Sequence, residues 1–352
     1  MGEAGRRRKA TQADVARLAG VSPSVVSTVL NGSAARGNVR VGDETRRRVV
    51  AAMTELGYVP NVAARRLATG SNHIIGVFSY EPTFPVKSLD FYQQFLVGIE
   101  EEAEQRGYNL LLFSATKNAE GSRSIYANGS NALNLADGAI LLGPHEDTAE
   151  LARLANEDYP FVLVGRREVR DIPLTWVGAD YLGGTATVVE RLVRLGHRRI
   201  AYVRSVRDHE SLADRQRGFQ QGCHGAGLAA AATPIVTTPQ DDDTGDIALD
   251  LMVTGTTAIV AESPVIAHSL WREAVRRGHS VPEDLSLVGL GGATPPEGGG
   301  RLASLETPRI QMGRAAVSLL LEMLADPSRR PESTVLACTF DAGESVGPPS
   351  RH

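Results

Sequence analysis

Residues 11–31, "TQADVARLAGVSPSVVSTVLN", place two short apolar stripes at helical spacing on either side of a glycine. Val15, Leu18 and Ala19 form the first stripe; Val26, Val29 and Leu30, at i, i+3 and i+4, form the second. Thr11 with Asp14 three residues on has the form of a capping box, so the first helix starts at Thr11 or Gln12. Gly20 ends it, because glycine takes the left-handed conformation of a tight turn. Ser22-Pro23 then restarts a helix, with serine as N-cap and proline at the first position. The second helix packs on the first and leaves Ser24, Ser27, Thr28 and Asn31 facing outward. A third helix follows, with Asp43 and Glu44 in its first turn, Val49, Ala52, Met53 and Leu56 on one face, and Gly57 just past its end.

Beyond these three helices the period changes. "YVPNVAARRLATGS" is broken at Pro60-Asn61, and Val62 to Ala68 can be helical, but an isolated helix of that length falls below the roughly 12 residues that hold in water. It reads as a helix that forms only when something supports it. From residue 74 the chain alternates apolar run, amphipathic helix, glycine, apolar run. "HIIGVFSY" is a buried strand, 91–106 a helix, Gly107 its end and "YNLLLF" the next strand. The unit recurs around Gly196 and Gly278, and further strands fit "GAILLG", "FVLVG", "TAIVA" and a final "TVLACTF". About ten strands joined by helices predict βα units on parallel sheets, doubly wound into two lobes divided near Asp180, with a crossing back near Thr307. Ligands of such folds bind at the carboxyl ends of the strands, which places a site in the cleft between lobes.

Composition narrows the class. The 352 residues, 42% apolar and 22% charged, suffice for roughly two or three domains with real cores. No run approaches the roughly 18 apolar residues of a membrane span, and no apolar segment follows the basic N-terminus, so a cytoplasmic protein without membrane contact is expected. Cys223 and Cys338 lack metal-ligand spacing and read as small hydrophobes. Charge is uneven. Residues 1–71 carry 12 Lys and Arg against 5 Asp and Glu, a net of +7, which leaves −11 on the rest of a chain whose total is −4. A cationic helical head on an acidic body suggests a polyanionic partner for the head. Two short helices joined by about three residues, the second with an exposed polar face, make a helix-turn-helix whose second helix would lie in the major groove of double-stranded DNA.

These stretches, with "ETRRRVVAAMTELGYVPNVAARRLATGS", "LVRLGHRRIAYV" and "VPEDLSLVGL", closely resemble the lactose-repressor (LacI-type) family of bacterial transcription regulators over almost the whole chain. The core patterns are shared with periplasmic sugar-binding proteins. The resemblance implies an all-α helix-turn-helix head (1–58), a hinge helix and linker (59–71), and a periplasmic-binding-protein-like α/β core of two doubly wound parallel-sheet lobes (72–345). The lobes would be roughly 72–179 with 308–331, and 180–307 with 332–345, leaving 346–352 as a disordered tail. It further implies a homodimer on a palindromic operator, with a small-molecule effector altering affinity and no cofactor. Base contacts fall on Pro23, Ser24 and Thr28, and phosphate contacts on Ser22, Ser27 and Asn31. In the hinge, Leu67 matches a leucine wedged into a minor-groove step, Ala64 a minor-groove contact, and Arg65 and Arg66 lie near the backbone. Thr28 stands where many members have arginine, whose bidentate bond to guanine is worth about 1–3 kcal/mol of discrimination. Pro23 offers only apolar contact. Direct readout is therefore expected to be weak and hinge-induced deformation correspondingly important. The loop "GSAARGNVRVGD" is longer than usual, and its Arg36 and Arg40 are candidates for phosphate contact.

In the cleft, the family's effector-gripping arginine falls on Arg215, and the remaining polar contacts fall on Glu262, Ser263, Gly291 and Thr307. These replace the carboxylates and amides that clamp sugar hydroxyls, which makes a simple sugar effector doubtful and leaves room for something charged or larger. "GLGGATPPEGGG" lacks the lysine of a phosphate cradle, Asp241-Asp242-Asp243 reads as a solvated turn, and His73, His197 and His209 have no nucleophile at motif spacing. No catalytic residue and no metal ligand is assigned. The rival to a regulator, more a repressor than an activator, is a solute-binding module without a DNA role.

Overall fold

The computed structural model of the chain describes residues 10–31, 41–58, 71–81, 89–114, 116–118, 121–143, 147–292 and 300–350. The hinge with Ala64, Arg65, Arg66 and Leu67, the loop arginines Arg36 and Arg40, and the side chain of Asn31 lie outside the described residues. The chain divides into two units, Met1–Ile74 and Ile75–His352.

The first unit contains α1 (Gln12–Ala19), α2 (Pro23–Asn31) and α3 (Asp43–Leu56). The capping box forms: Thr11 accepts from the Asp14 N–H while the Asp14 carboxylate accepts from Thr11 N at 3.0 Å. Gly20 closes α1 with φ +63°, and the Val21 N–H donates back to Ala16 O at 3.0 Å. Val15, Ala16, Ala19, Val26, Val29, Val49 and Ala52 make the core. Leu18, expected on the buried stripe, stays 46% exposed, and Ala16 takes the inward position. The small Ala16 and Ala19 side chains let α1 lie close against its neighbours, so the contact face is rotated away from Leu18.

The second unit holds two six-stranded sheets. The first uses β1 (Ile74–Ser79), β2 (Asn109–Leu112), β3 (Gly138–Leu142), β4 (Phe161–Val164), β5 (Trp176–Ala179) and β11 (Thr334–Leu336), in the order β11-β5-β4-β3-β1-β2. The second uses β6 (Ile200–Arg204), β7 (Ile235–Thr237), β8 (Ala258–Ala261), β9 (Ser286–Leu290), β10 (Ala303–Glu306) and β12 (Thr339–Asp341), in the order β12-β10-β9-β8-β6-β7. Pairing is parallel through the middle of both sheets, and β12 runs antiparallel to β10. The central strands are buried from end to end, as strands covered on both faces must be.

Helices α4 (Leu89–Gln105) and α10 (Arg309–Ala325) cover one face of the first sheet, where Phe95, Ile99, Val317 and Leu320 meet Ile75, Ile140 and Val162. They approach so closely that a Cβ on Gly98 would sit 2.0 Å from the Ile310 carbonyl oxygen. Helix α5 (Thr148–Asn156) buries Leu151 and Leu154. On the second sheet, α6 (Tyr181–Arg194) and α7 (Glu210–Gly225) pack on one face, and α8 (Ile247–Val253) and α9 (Pro264–Arg276) on the other. Asp180, at the expected lobe division, caps α6 through the Gly183 N–H at 2.8 Å.

Three further expectations change. "TVLACTF" is two strands: β11 joins the first sheet beside β5, the chain passes through Ala337-Cys338, and β12 joins the second sheet. Residues 332–336 therefore belong with the first lobe. Among the described residues the strands number twelve rather than about ten, because short strands such as β5, β7 and β10 carry little pattern of their own. The expected disordered tail is instead laid down as far as Ser350. The Leu287 N–H donates to Ser345 O at 2.8 Å, His197 Nε2 meets Gly347 O at 2.8 Å, and Ser350 donates to Glu283 O. Main-chain groups next to β9 would otherwise be buried without partners, and the tail supplies them.

Candidate functional site

Two surfaces carry the candidate chemistry, one in each unit. In the head, Ser22, Pro23 and Ser24 are exposed at the start of α2, and Ser27 and Thr28 are half-buried one turn on. Two contacts fix this end. Gln12 Nε2 donates to Pro23 O at 3.2 Å, tying α1 to α2, and the Ser22 hydroxyl lies 2.7 Å from that of Ser24. Thr28 Oγ1 donates to Ser24 O at 2.9 Å, the usual back-bond of a helical threonine. Its outward offering is thus a methyl group and an acceptor lone pair. Ser22, Pro23 and Ser24 are exposed and Ser27 and Thr28 half-exposed along α2, with Val26 and Val29 turned into the core.

In the core, parallel register sets the second site. Val203 of β6 aligns with Ala261 of β8, and Ala261 with Gly289 of β9, so Ser205, Glu262 and Gly291 all emerge at the carboxyl end of the second sheet, joined by Thr307 after β10. Glu262 is 1% exposed. One of its oxygens accepts from the Ser205 N–H at 2.8 Å, and the other, Oε1, has no partner. Burial pushes its carboxyl above the usual range, against the pull of the Ser205 N–H and of Arg215. Arg215, from α7, is 8% exposed. Its Nη1 donates to Glu262 O at 2.9 Å, and its guanidinium carbon lies 4.5 Å from the centroid of the Tyr181 ring. The Tyr202 hydroxyl and Thr307 Oγ1 are also buried without partners. Tyr202 is held in its neutral form by burial and by the neighbouring Glu262 charge. Ser263, by contrast, caps α9 through the Ile266 N–H at 3.3 Å, a structural task.

The facing wall comes from the first lobe and was not legible in the sequence. Arg166, following β4, grips Asp214 of α7 through Nε at 3.2 Å and Nη2 at 3.0 Å. Arg167 donates to Gly143 O at 2.6 Å and stands 3.6 Å from Glu210. Arg309, at the start of α10, donates to Gly291 O, and burial pulls its guanidinium below the ordinary value. Glu81 accepts from the Tyr92 hydroxyl at 2.8 Å, and its main-chain oxygen accepts from Arg123 at 2.8 Å. Arg166, Arg167 and Glu81 lie just after strands and Arg309 opens a helix, where no periodicity marks them. The dipeptide Arg166-Arg167 directly after the apolar "FVLVG" was the one available signal.

Cys223 is buried and Cys338 half-buried, and burial raises both thiols to about 11. Asp241 pairs with Arg207, and the Asp242 main-chain oxygen accepts from Arg272, which accounts for the acidic turn. Among the described residues there is no group of three or more His, Cys, Asp or Glu that could hold a metal ion, and no helix long and apolar enough to cross a membrane.

Comparison with known proteins identifies the two parts of the chain. Residues 11–61 match the family model described as bacterial regulatory proteins, lacI family, and residues 189–346 match a periplasmic binding protein-like domain. The HTH-type transcriptional regulator CelR of Thermobifida fusca is 30% identical over 350 residues, spanning 97% of this chain and 99% of the relative. A solved CelR–cellobiose complex superposes with a TM-score of 0.65 at 26% identity, covering 96% of this chain and 99% of that one. The lac repressor dimer bound to operator and an anti-inducer shares the fold, with a TM-score of 0.71 at 23% identity over 97% of this chain and all of the other.

Proposed function

The chain belongs to the lacI family of bacterial regulatory proteins, and from that premise we propose that it represses transcription by binding a palindromic operator as a homodimer in the cytoplasm. It is a DNA-binding transcription regulator modulated by a small molecule. The observation that carries the reading is the exposed, polar first turn of α2, held on a packed three-helix core and joined in one chain to a cleft with buried unpartnered groups.

The mechanism follows from the residues. Ser24, Pro23 and Thr28 meet base edges while Ser22, Ser27 and Asn31 meet phosphates. With the Thr28 hydroxyl proton held by Ser24 O, each half-site gains little bidentate discrimination. Leu67 wedges into the central step of the operator, Ala64 lies in the minor groove and Arg65 near the backbone, so that the deformability of that step carries specificity. A ligand held by Arg215, Glu262 and Thr307 stabilises one arrangement of the lobes. It thereby changes the population in which paired hinges can kink DNA. No catalysis is assigned to the cleft. The cellobiose held by the CelR relative makes a hydroxylated molecule of sugar size the first class to screen.

Selection of bound duplexes from a random pool at two salt concentrations tests this. Recovery of a palindrome with a fixed, flexible centre is the expected result. Recovery of sequence-free, salt-sensitive binding alone would sink the operator reading, and ligand binding with no DNA recovered would favour the solute-binding alternative.

A further inference from the structure

The start of α2 offers little of what usually tells one base pair from another. Between Ser22 and Leu30 there is no arginine, lysine, asparagine or glutamine, the side chains whose bonds pick out guanine or adenine. The hydroxyls at this end are partly committed. Thr28 Oγ1 gives its proton to Ser24 O at 2.9 Å. The hydroxyls of Ser22 and Ser24 lie 2.7 Å apart, so one donates to the other and the pair keeps a single proton to offer outward. Gln12 Nε2, the amide at this end, donates to Pro23 O at 3.2 Å. A lone rotating hydroxyl can donate to N7 of either purine or to O4 of thymine, and so separates base pairs poorly. What this face holds in fixed position is apolar. Pro23 is exposed in the first turn, its ring locking φ and leaving no N–H to donate. The bond to Ser24 O holds the β-branched Thr28 side chain in one rotamer, so its methyl keeps one direction.

We propose that α2 recognises its half-site chiefly through the C5 methyl groups of thymine, packed against the Pro23 ring and the Thr28 methyl. One serine hydroxyl adds a bond that several bases satisfy. In the major groove the thymine methyl is the apolar mark among the base edges, and the strand that carries it distinguishes A·T from T·A. The inference rests on the second helix of the helix-turn-helix lying in that groove with its N-terminal side chains at base edges. A methyl half-buried against such a side chain is worth about twofold in affinity, hence about fourfold for a dimer on a palindrome.

The duplex selected from the random pool by the full-length protein supplies the probe. Uracil in place of thymine removes the methyl and nothing else, so gel-shift titrations compare the two bases position by position. At one or more thymines of the half-site, uracil in both halves is expected to weaken binding by about fourfold. Thr28→Ser keeps the hydroxyl and loses the methyl, and should bind the thymine and uracil duplexes alike at one such position. Thr28→Val keeps the methyl and should retain the preference there. Pro23→Ala should erase the preference at a neighbouring position. A variant that merely loosens the helix weakens both duplexes of a pair equally and leaves their ratio untouched. Half-sites without thymine, uracil tolerated at every position, or penalties that persist in both Thr28→Ser and Pro23→Ala would each overturn the inference. So would 7-deazaguanine, which lacks N7, costing more than any uracil. In all of these cases a recovered palindrome leaves the operator reading standing. A pool that yields no preferred sequence ends both.

Discussion

At the scale of single residues, the proposed operator contacts give Thr28 and Leu67 unequal work. Thr28 points a methyl and one lone pair outward, so Thr28→Ala should weaken operator binding by only about 0.5–1 kcal/mol in a gel-shift titration. Leu67→Ala removes the proposed wedge, and its loss should amount to about 2 kcal/mol or more. Equal effects would refute the emphasis on deformation. His197 gives a second test at this scale. It is 1% exposed between Thr257 Oγ1 and Gly347 O, both at 2.8 Å, and burial is the larger influence on it, lowering its pKa below the ordinary value despite the bond to Gly347. The folded state thus prefers the neutral ring, while the unfolded chain takes a proton near about pH 6.5. Its contribution to stability should be complete above that pH and decline as the pH falls below it. His268 is lowered in the same direction by burial, so His197→Gln should flatten part of the slope between about pH 6.5 and 5 in denaturant titrations, not all of it. An unchanged slope would show that the tail clasp does not titrate.

At the scale of elements, the head depends on caps and the core on close helix contacts. Thr11→Ala removes the hydroxyl half of the capping box, leaving the Asp14 carboxylate on the residue 11 N–H, and should destabilise the head by about 1 kcal/mol, read as a lower midpoint for the transition that abolishes DNA binding. Gly98→Ala should be far harsher on the core. Its methyl would meet the Ile310 carbonyl oxygen, which backbone holds in place, so about 2–3 kcal/mol of stability is expected to vanish in chemical denaturation. These elements were the most legible part of the sequence: the capping box, Gly20, Ser22-Pro23 and the apolar runs of β3, β4 and β8 depend on neighbours a few residues away. The orientation of α1 was less so. Nothing in "ADVARLAG" distinguishes Leu18 from Ala16 as the inward residue until α2 and α3 press against it.

At the scale of the whole molecule, the lobes are joined by their own charges. Asp214, which meets Arg166, is the residue before Arg215 on α7, so the latch and the proposed effector arginine share one helix. Arg166→Ala or Asp214→Ala should each lengthen the distance between fluorophores placed on the two lobes, and the double variant should add little to either, with a coupling of about 1–2 kcal/mol. The effect should shrink at high salt, because surface exposure leaves the pair partly screened. An unchanged distance would mean that packing alone fixes the lobes.

The sequence by itself determined the helix-turn-helix, the βα succession and the excess of positive charge in the head, all of which follow from short-range periodicity, caps and composition, whereas Arg215, Glu262 and Thr307 were singled out only through the family resemblance. Tertiary structure alone decided that "TVLACTF" splits between two sheets, that residues 346–350 clasp the second lobe, and that Arg166, Arg167 and Arg309 complete the cleft. The physical reason is the range of the forces involved. A strand's sheet, a tail's hydrogen-bond partners and a loop arginine's carboxylate are chosen by groups dozens to hundreds of residues away.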